Sequence, residues 1–126
     1  MSTLVVACVT GQLSCEGIIT EAAELAMAFE AELSVVHVAK IGADILGNPD
    51  EGAALEFLYE KCREHGADLN IQRAENTLET LIGFIAKSGA DIVVLGNTRQ
   101  SAQRDIVSAL KTRLPDMEFH VVNSAG

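Results

Sequence analysis

The sequence predicts an α/β fold in which an open five-stranded parallel sheet carries helices on both faces. Two observations lead to this prediction. Short apolar runs, typical of buried parallel strands, alternate with segments whose apolar residues recur at helical spacing. This β-α-β-α-β-α-β-α-β alternation continues along the chain without a linker, repeat or low-complexity stretch, so residues 1–126 are predicted to form a single domain.

The first part of the chain supplies two buried strands and two helices. Residues 4–9 are a continuous apolar run, as expected of a parallel strand that is covered on both faces. Residues 33–38 are the predicted second strand. Between them, Ser14 is the predicted N-cap of a helix that runs to about Phe29. The second helix is predicted to begin at Asn48–Glu51, where a capping side chain precedes a proline and acids lie near the positive end of the helix dipole.

The middle of the chain predicts an edge strand and a capped helix. Residues 68–73 alternate apolar and polar side chains, which is the pattern of a half-exposed strand near the edge of a sheet. Asn76 and Glu79 have the spacing of a capping box, so a helix is predicted to start there and to end at Gly89.

The last part of the chain predicts two strands separated by a loop and a helix. Residues 91–96 form the fourth apolar run, and residues 97–103 are predicted to be a polar loop. A helix over residues 104–114 is ended by Pro115, which cannot continue it. Residues 118–123 are the predicted fifth strand.

Charge and hydropathy exclude several classes of function. The net charge of −9 argues against general affinity for nucleic acid or for anionic membranes, since both require a basic surface. No run of about 18 apolar residues predicts a membrane span, and the N-terminus lacks the basic region of a secretory signal. We therefore expect a cytoplasmic protein without membrane insertion.

The basic residues are unevenly distributed. Four of the nine lysines and arginines fall between Asn97 and Arg113, a stretch in which Asp105 is the single acid. Such a segment is either a local anion site or a solvated helix face that happens to be basic.

The loops after the first and fourth strands are the predicted place of a ligand. In open α/β sheets, ligands bind beyond the carboxyl ends of the strands, where the strand order switches. The first loop is Thr10-Gly11-Gln12, and the second spans residues 96–101, where hydroxyls, Arg99 and a helix N-terminus suit a phosphate or another anion. The second loop matches neither the P-loop nor the Gly-x-Gly-x-x-Gly pattern, and an ordinary polar loop has the same composition.

Cysteines and histidines give no catalytic or metal-binding pattern. Cys8, Cys15 and Cys62 are irregularly spaced, which predicts free thiols and no zinc site. Cys8 is predicted to be a small core residue, while Cys15 lies where a helix dipole would lower its pKa and permit redox chemistry. His37 lies near the end of the second strand, either facing the crevice or partly buried in a structural role. We expect no catalytic residue and no enzyme activity.

Four segments, in order along the chain, resemble strands of the universal stress proteins. Residues 4–11, 31–38, 89–96 and 118–122 are similar to the first, second, fourth and last strands of that family. The resemblance implies a Rossmann-like fold of the universal stress protein type, a role in the stress response, and a homodimer formed through the C-terminal strand. It also implies ATP or AMP as the candidate ligands, with no cofactor certain.

Within this family, the chain is most similar to the stress-protein domain of the Kdp potassium-sensor kinases. Residues 8–10, 96–101 and 103–107 carry this resemblance. It implies signal transduction and potassium sensing, whether the chain is free-standing or part of such a kinase.

The glycine motif of ATP-binding family members is incomplete. That motif reads Gly-x-x-Gly, nine residues, then Gly-Ser/Thr. Gly96 fills the first position, Arg99 replaces the second glycine, and the later glycine falls on Ala109, or on Ser108 in a register one residue shorter. Thr10 replaces the family's nucleotide-contacting aspartate. These departures weaken ATP binding, because glycine lets the backbone approach phosphate closely.

The sequence therefore predicts a regulatory or sensory module that binds a partner protein or a small anion, without efficient ATP binding. The alternative is a nucleotide-binding stress protein in which Val9 and Val38 flank the base, and a hydrolase or redox enzyme is the third hypothesis. The predicted binding residues are Thr10, Gly11, Val38, Gly96, Asn97, Thr98, Arg99, Ser101 and Arg104.

Overall fold

A computed structural model describes residues 3–9, 12–97 and 101–123 of the chain. They form a five-stranded, all-parallel sheet and four α-helices, which confirms the predicted fold class. The strands are β1 (Leu4–Cys8), β2 (Glu32–Lys40), β3 (Asp68–Ala74), β4 (Ile92–Asn97) and β5 (Glu118–Asn123). The helices are α1 (Gln12–Ala28), α2 (Glu51–Glu64), α3 (Thr77–Ser88) and α4 (Ser101–Arg113).

The strand order β3-β2-β1-β4-β5 places β1 at the centre of the sheet. Val6 of β1 is aligned with Ser34 of β2 on one side and with Val93 of β4 on the other. The chain first builds outward from β1 to β3 and then crosses back to β4, so the order switches between β1 and β4. The predicted ligand-binding loops follow these two neighbouring strands. The prediction that β3 is an edge strand is confirmed.

The two faces of the sheet are covered by different pairs of helices. Along β1, Val5 and Ala7 pack against α1 and α2, whereas Val6 and Cys8 pack on the opposite face with α3 and α4. This alternation follows from the two-residue period of a strand. All four of these side chains are buried, which is why the strand is an uninterrupted apolar run.

The start of α2 differs from the prediction. Asp50, rather than Asn48, is the N-cap, and its side chain accepts a hydrogen bond of 3.1 Å from the Ala53 N–H. Asn48 instead accepts from the Asp50 N–H at 2.9 Å, holding the turn that leads into the helix. Both residue types cap helices well, and the sequence offers both within three positions.

The N-cap of α3 is confirmed, and its capping box is half formed. The Asn76 side chain accepts a hydrogen bond of 3.0 Å from the Glu79 N–H. The Glu79 carboxylate pairs with Arg113 of α4 at 2.7 Å instead of returning to the N-cap. Arg113 lowers the pKa of Glu79 through this hydrogen bond and through its charge. Gly89 ends the helix in the left-handed conformation that favours glycine.

The predicted loop over residues 97–103 is too long at both ends. Asn97 belongs to β4, and α4 already begins at Ser101. Alanine and glutamine at the next two positions are good helix formers, although the polar composition of the segment suggested a loop. Among the described residues, no helix is both long and apolar enough to cross a bilayer.

Candidate functional site

A cavity opens at the carboxyl ends of β1, β2 and β4, on the face covered by α3 and α4. Its empty volume is about 540 Å³, including space open to solvent. The described residues that line it are Cys8, Val9, Val36, Val38, Thr77, Leu78, Leu81, Leu95, Gly96 and Val107.

The lining is predominantly aliphatic. Val38, Leu78 and Val107 are partly buried beside the cavity and pack against the core on this face of the sheet. Burial raises the pKa of the Cys8 thiol to about 12, so this thiol stays protonated and acts as a small apolar group. Such walls suit a flat ring system, which gains stability by leaving water.

The structure brings together only part of the predicted binding set. Val38 and Gly96 both line the cavity, as does Val9, which the nucleotide hypothesis placed beside a base. Asn97 ends β4, and Ser101 and Arg104 lie in α4 close behind it in the chain; the structure describes their backbone positions alone. Thr10, Gly11, Thr98 and Arg99 lie outside the described residues.

Gly96 is favoured by packing on the side of the sheet away from the cavity. A β-carbon built at this position would lie 2.7 Å from Ile18 Cδ1 of α1, closer than van der Waals contact permits. Gly96 does not have a positive φ, so conformational freedom is not the reason for glycine here. The Gly96 backbone lines the cavity while its missing side chain leaves room for α1.

His37 has a structural position and does not line the cavity. Its side chain is 4% exposed and lies on the α1 and α2 face, opposite the cavity-lining neighbours Val36 and Val38. Nδ1 lies 2.9 Å from the Val9 carbonyl oxygen, and Nε2 accepts a hydrogen bond of 3.1 Å from the Leu46 N–H. The first contact requires a proton on Nδ1 and the second requires none on Nε2, so these bonds assign the neutral Nδ1–H tautomer.

The environment of His37 favours its neutral form. Burial lowers the pKa of His37, and the positive charge of Arg73 lowers it further. The hydrogen bond to the Val9 carbonyl raises it in part. The expectation of a buried structural histidine therefore holds, and the alternative that His37 faces the crevice is wrong because strand alternation turns it to the other face.

The turn that His37 holds contains a backbone conformation unusual for leucine. Leu46 lies in a short 3-10 segment, Ile45–Gly47, with a φ of 55°, a region that costs a residue with a β-carbon roughly 1–2 kcal/mol. Its N–H bond to His37 and the burial of its side chain offset that cost. Arg73 anchors the same loop by donating to the Ala43 carbonyl at 3.0 Å.

Cys15 is not the reactive thiol that the sequence suggested. It lies in the first turn of α1, but its side chain is 0% exposed. Burial, followed by the charges of Glu16 and Cys62, raises its pKa to about 11, and Lys61 only partly counteracts this. Desolvation therefore outweighs the helix dipole, and the thiol is protonated at neutral pH.

The sequence interpretation missed the helical side of the cavity. Thr77, Leu78 and Leu81 come from the first turns of α3, and Val107 comes from α4. In the sequence, Thr77 only follows the predicted N-cap Asn76, while Leu81 and Val107 lie within predicted helices at the spacing of ordinary packing residues. A helix-packing residue and a cavity residue give the same pattern, so no sequence signal separated them.

Comparison with solved structures identifies the fold. A universal stress protein in complex with cAMP is 20% identical over 98% of each chain, with a TM-score of 0.72. Universal stress protein UspA from Lactobacillus plantarum is 17% identical over 96% of each chain, with a TM-score of 0.69. The Archaeoglobus fulgidus protein in complex with dAMP is 18% identical over 98% of this chain and 97% of the other, with a TM-score of 0.59.

These likenesses define the fold of the chain. The parallel sheet with four helices is the Rossmann-like α/β fold, and its particular form is the fold of the universal stress proteins. No family model matches the sequence, and no curated protein is significantly similar to it. At 17–20% identity the structural neighbours establish the fold, and they do not establish the resemblance to the Kdp kinases.

Proposed function

We propose that this chain is a non-catalytic regulatory module that binds a nucleotide with a single phosphate, AMP or cAMP, and holds the base in the cavity beside β1, β2 and β4. The observation that carries the proposal is the aliphatic cavity at the carboxyl ends of these strands, the position at which open α/β sheets bind ligands. Two solved proteins with the same fold are complexes with cAMP and with dAMP.

The segment after β4 would receive the phosphate. Gly96 lines the cavity and α4 begins at Ser101, so the positive end of a helix dipole lies near the mouth of the site. The segment that follows β4 also contains two positively charged residues, Arg99 and Arg104. A single phosphate fits the proposal better than three, because Arg99 and either Ala109 or Ser108 stand where ATP-binding family members have glycines that let the backbone approach a longer phosphate chain.

Thermal unfolding with AMP, cAMP and ATP tests the proposal. A ligand present at about 100 times its dissociation constant adds roughly 2.7 kcal/mol to the free energy of unfolding, which raises the melting temperature of a domain of this size by several degrees. We expect AMP or cAMP at millimolar concentration to raise the melting temperature, and ATP to raise it less. No shift with any of the three nucleotides would contradict nucleotide binding.

A variant that fills the cavity separates binding in the site from binding elsewhere. Val107→Phe places an aromatic ring in the cavity wall, whereas Ser108→Phe places the same ring on the exposed side of α4. The first change should abolish the nucleotide-dependent shift and the second should preserve it. A shift that survives Val107→Phe would place the nucleotide elsewhere.

The non-catalytic part of the proposal rests on the side chains near the site. Both ring nitrogens of His37 are engaged on the opposite face of the sheet, and the Cys8 thiol in the cavity is protonated. Among residues 3–9, 12–97 and 101–123, no cluster of three or more histidine, cysteine or acidic side chains could hold a metal ion. The test is an assay for AMP, ADP and phosphate after long incubation with ATP, in which we expect no turnover.

The regulatory part of the proposal includes a homodimer and a protein partner. β5 is an edge strand, and such an edge can pair with a second copy. Sedimentation equilibrium distinguishes the dimer from a chain of 13.4 kDa, and a monomer at all concentrations would contradict it. The resemblance to Kdp sensor kinases supports a signalling partner, and a pull-down against the transmitter region of such a kinase tests that link.

A further inference from the structure

The wall of the cavity contains one hydroxyl group among its described side chains. Thr77 supplies it, and every other lining residue is aliphatic, a protonated cysteine or a glycine. Side chains of this kind stabilise a ring by burial, and among them only the Thr77 hydroxyl can form a hydrogen bond with a polar edge of the ring. Selectivity among ring systems requires a polar group in a fixed position.

The position of Thr77 is fixed by the cap of α3, and its hydroxyl is not used in that cap. Thr77 is the first residue of the helix, and the preceding Asn76 accepts the hydrogen bond from the Glu79 N–H. Within the described part of the chain, the Thr77 hydroxyl forms no hydrogen bond. A ligand that covers this partly buried hydroxyl must supply a partner, because an unpaired polar group in an apolar contact is costly.

Thr77 lies at the end of the cavity away from the segment proposed to hold the phosphate. α3 packs against β2, and α4 packs against β4. These strands flank β1 on opposite sides, so they are separated by two strand spacings, about 10 Å. A nucleotide whose phosphate lies at β4 therefore extends its base toward β2 and the first turn of α3.

We propose that Thr77 determines the base specificity of the site by a hydrogen bond between its hydroxyl and the polar edge of the purine ring. This inference rests on the proposed nucleotide-binding function. The threonine hydroxyl both donates and accepts, so it can pair with a ring nitrogen or with an exocyclic amino group, while Leu78 and Leu81 contact the ring faces and edges that carry no polar atom.

Two ligands and two variants test this assignment by titration calorimetry. AMP carries the polar edge, and benzimidazole riboside 5′-monophosphate has the same ring shape without it. Thr77→Val removes the hydroxyl and keeps the side-chain shape, so it should weaken AMP binding about tenfold and change the affinity for the benzimidazole nucleotide less than twofold. Thr77→Ser keeps the hydroxyl and should bind both ligands within about threefold of the unmodified protein.

The outcomes distinguish a failure of the role of Thr77 from a failure of the proposed nucleotide-binding function. Equal weakening of both ligands by Thr77→Val, or no weakening of either, overturns the role of Thr77 while the site stands. Absence of AMP and cAMP binding in the unmodified protein overturns the nucleotide-binding function itself. Melting temperatures without ligand show that each variant is folded, and if Thr77→Val is unfolded, Thr77→Ala tested against the same two ligands gives the same comparison.

Discussion

Ile18 of α1 packs against Gly96 in β4, so that a side chain at position 96 would have to displace the end of the Ile18 side chain. A β-carbon there would lie 2.7 Å from Ile18 Cδ1, and Ile18 is buried in the core on this face. The glycine near the end of β4 is thus favoured by helix packing. Because the Gly96 backbone also lines the cavity, this contact links the position of α1 to the shape of the site.

The first prediction concerns the stability of Gly96→Ala. The added methyl group must displace the end of the Ile18 side chain, and overpacking of this kind costs about 1–3 kcal/mol. Since the clash is with the terminal carbon of a flexible side chain, we expect a loss near 1 kcal/mol in the free energy of unfolding, measured by denaturant titration.

The matched control removes the clashing atom. Ile18→Val deletes Cδ1 and alone should cost about 0.5–1.5 kcal/mol. In the Ile18→Val protein, Gly96→Ala should reduce the free energy of unfolding by at most half as much as in the native sequence, because the effects of two substitutions in contact are not additive. An equal cost of Gly96→Ala in both backgrounds would show that Ile18 is not the reason for glycine.

The second prediction concerns the pH dependence contributed by His37. The pKa of this histidine in the folded chain lies below its ordinary value of 6.5, so the unfolded chain binds the proton first as the pH falls. Its contribution to the free energy of unfolding is therefore fully present above pH 6.5 and is lost as the pH falls from there toward the folded pKa. Protonation of Nε2 would also place a donor against the Leu46 N–H.

Denaturant titrations between pH 8 and pH 5 on the native sequence and on His37→Gln check this prediction. The variant loses buried hydrogen bonds and should be less stable by roughly 1–3 kcal/mol at pH 8. The difference between the two proteins should shrink as the pH falls, because only the native sequence loses the contribution of His37. A difference that is constant with pH would contradict the prediction.

The sequence contained most of the information needed for the fold. The central strand was recognisable because a parallel strand covered on both faces must be apolar along its length, as residues 4–8 are. The edge strand β3 was recognisable by its alternation of apolar and polar residues. The errors occurred where local chemistry was ambiguous. The prediction that Ser14 is the N-cap of the first helix is wrong, because α1 already begins at Gln12. Asn48 and Asp50 are both suitable caps, and the polar residues at 97–103 did not reveal that α4 begins at Ser101.

The candidate site was less predictable because it depends on packing between distant elements. Val38 and Gly96 were recognisable, since strand ends at a switch in strand order mark the crevice. Thr77 and Val107 reach the same cavity from helices on its far side. The face on which His37 lies was also undetermined until the strand alternation was fixed by the neighbours that it packs against.

The third prediction concerns the cysteines, all of which are buried. The pKa of Cys15 is about 11, so roughly one thiol in a thousand is ionised at pH 8, and burial also blocks access. Ellman's reagent should therefore react slowly with the folded protein and rapidly with all three thiols in guanidinium chloride. Fast reaction of the folded protein, lost in Cys15→Ala, would show that Cys15 is reactive after all.

The most direct test of the proposed function is a titration with AMP followed by methyl NMR. Valine and leucine methyl groups occur on both faces of the sheet, which provides an internal comparison. Val38, Leu78 and Val107 line the cavity, whereas Val5 and Leu58 belong to the core on the α1 and α2 face.

We expect saturable shift changes at the cavity methyl groups and little change at Val5 and Leu58, because a bound base would lie against the former and is separated from the latter by the sheet. Shift changes centred on the α1 and α2 face, or no change at millimolar AMP, would contradict nucleotide binding in this cavity.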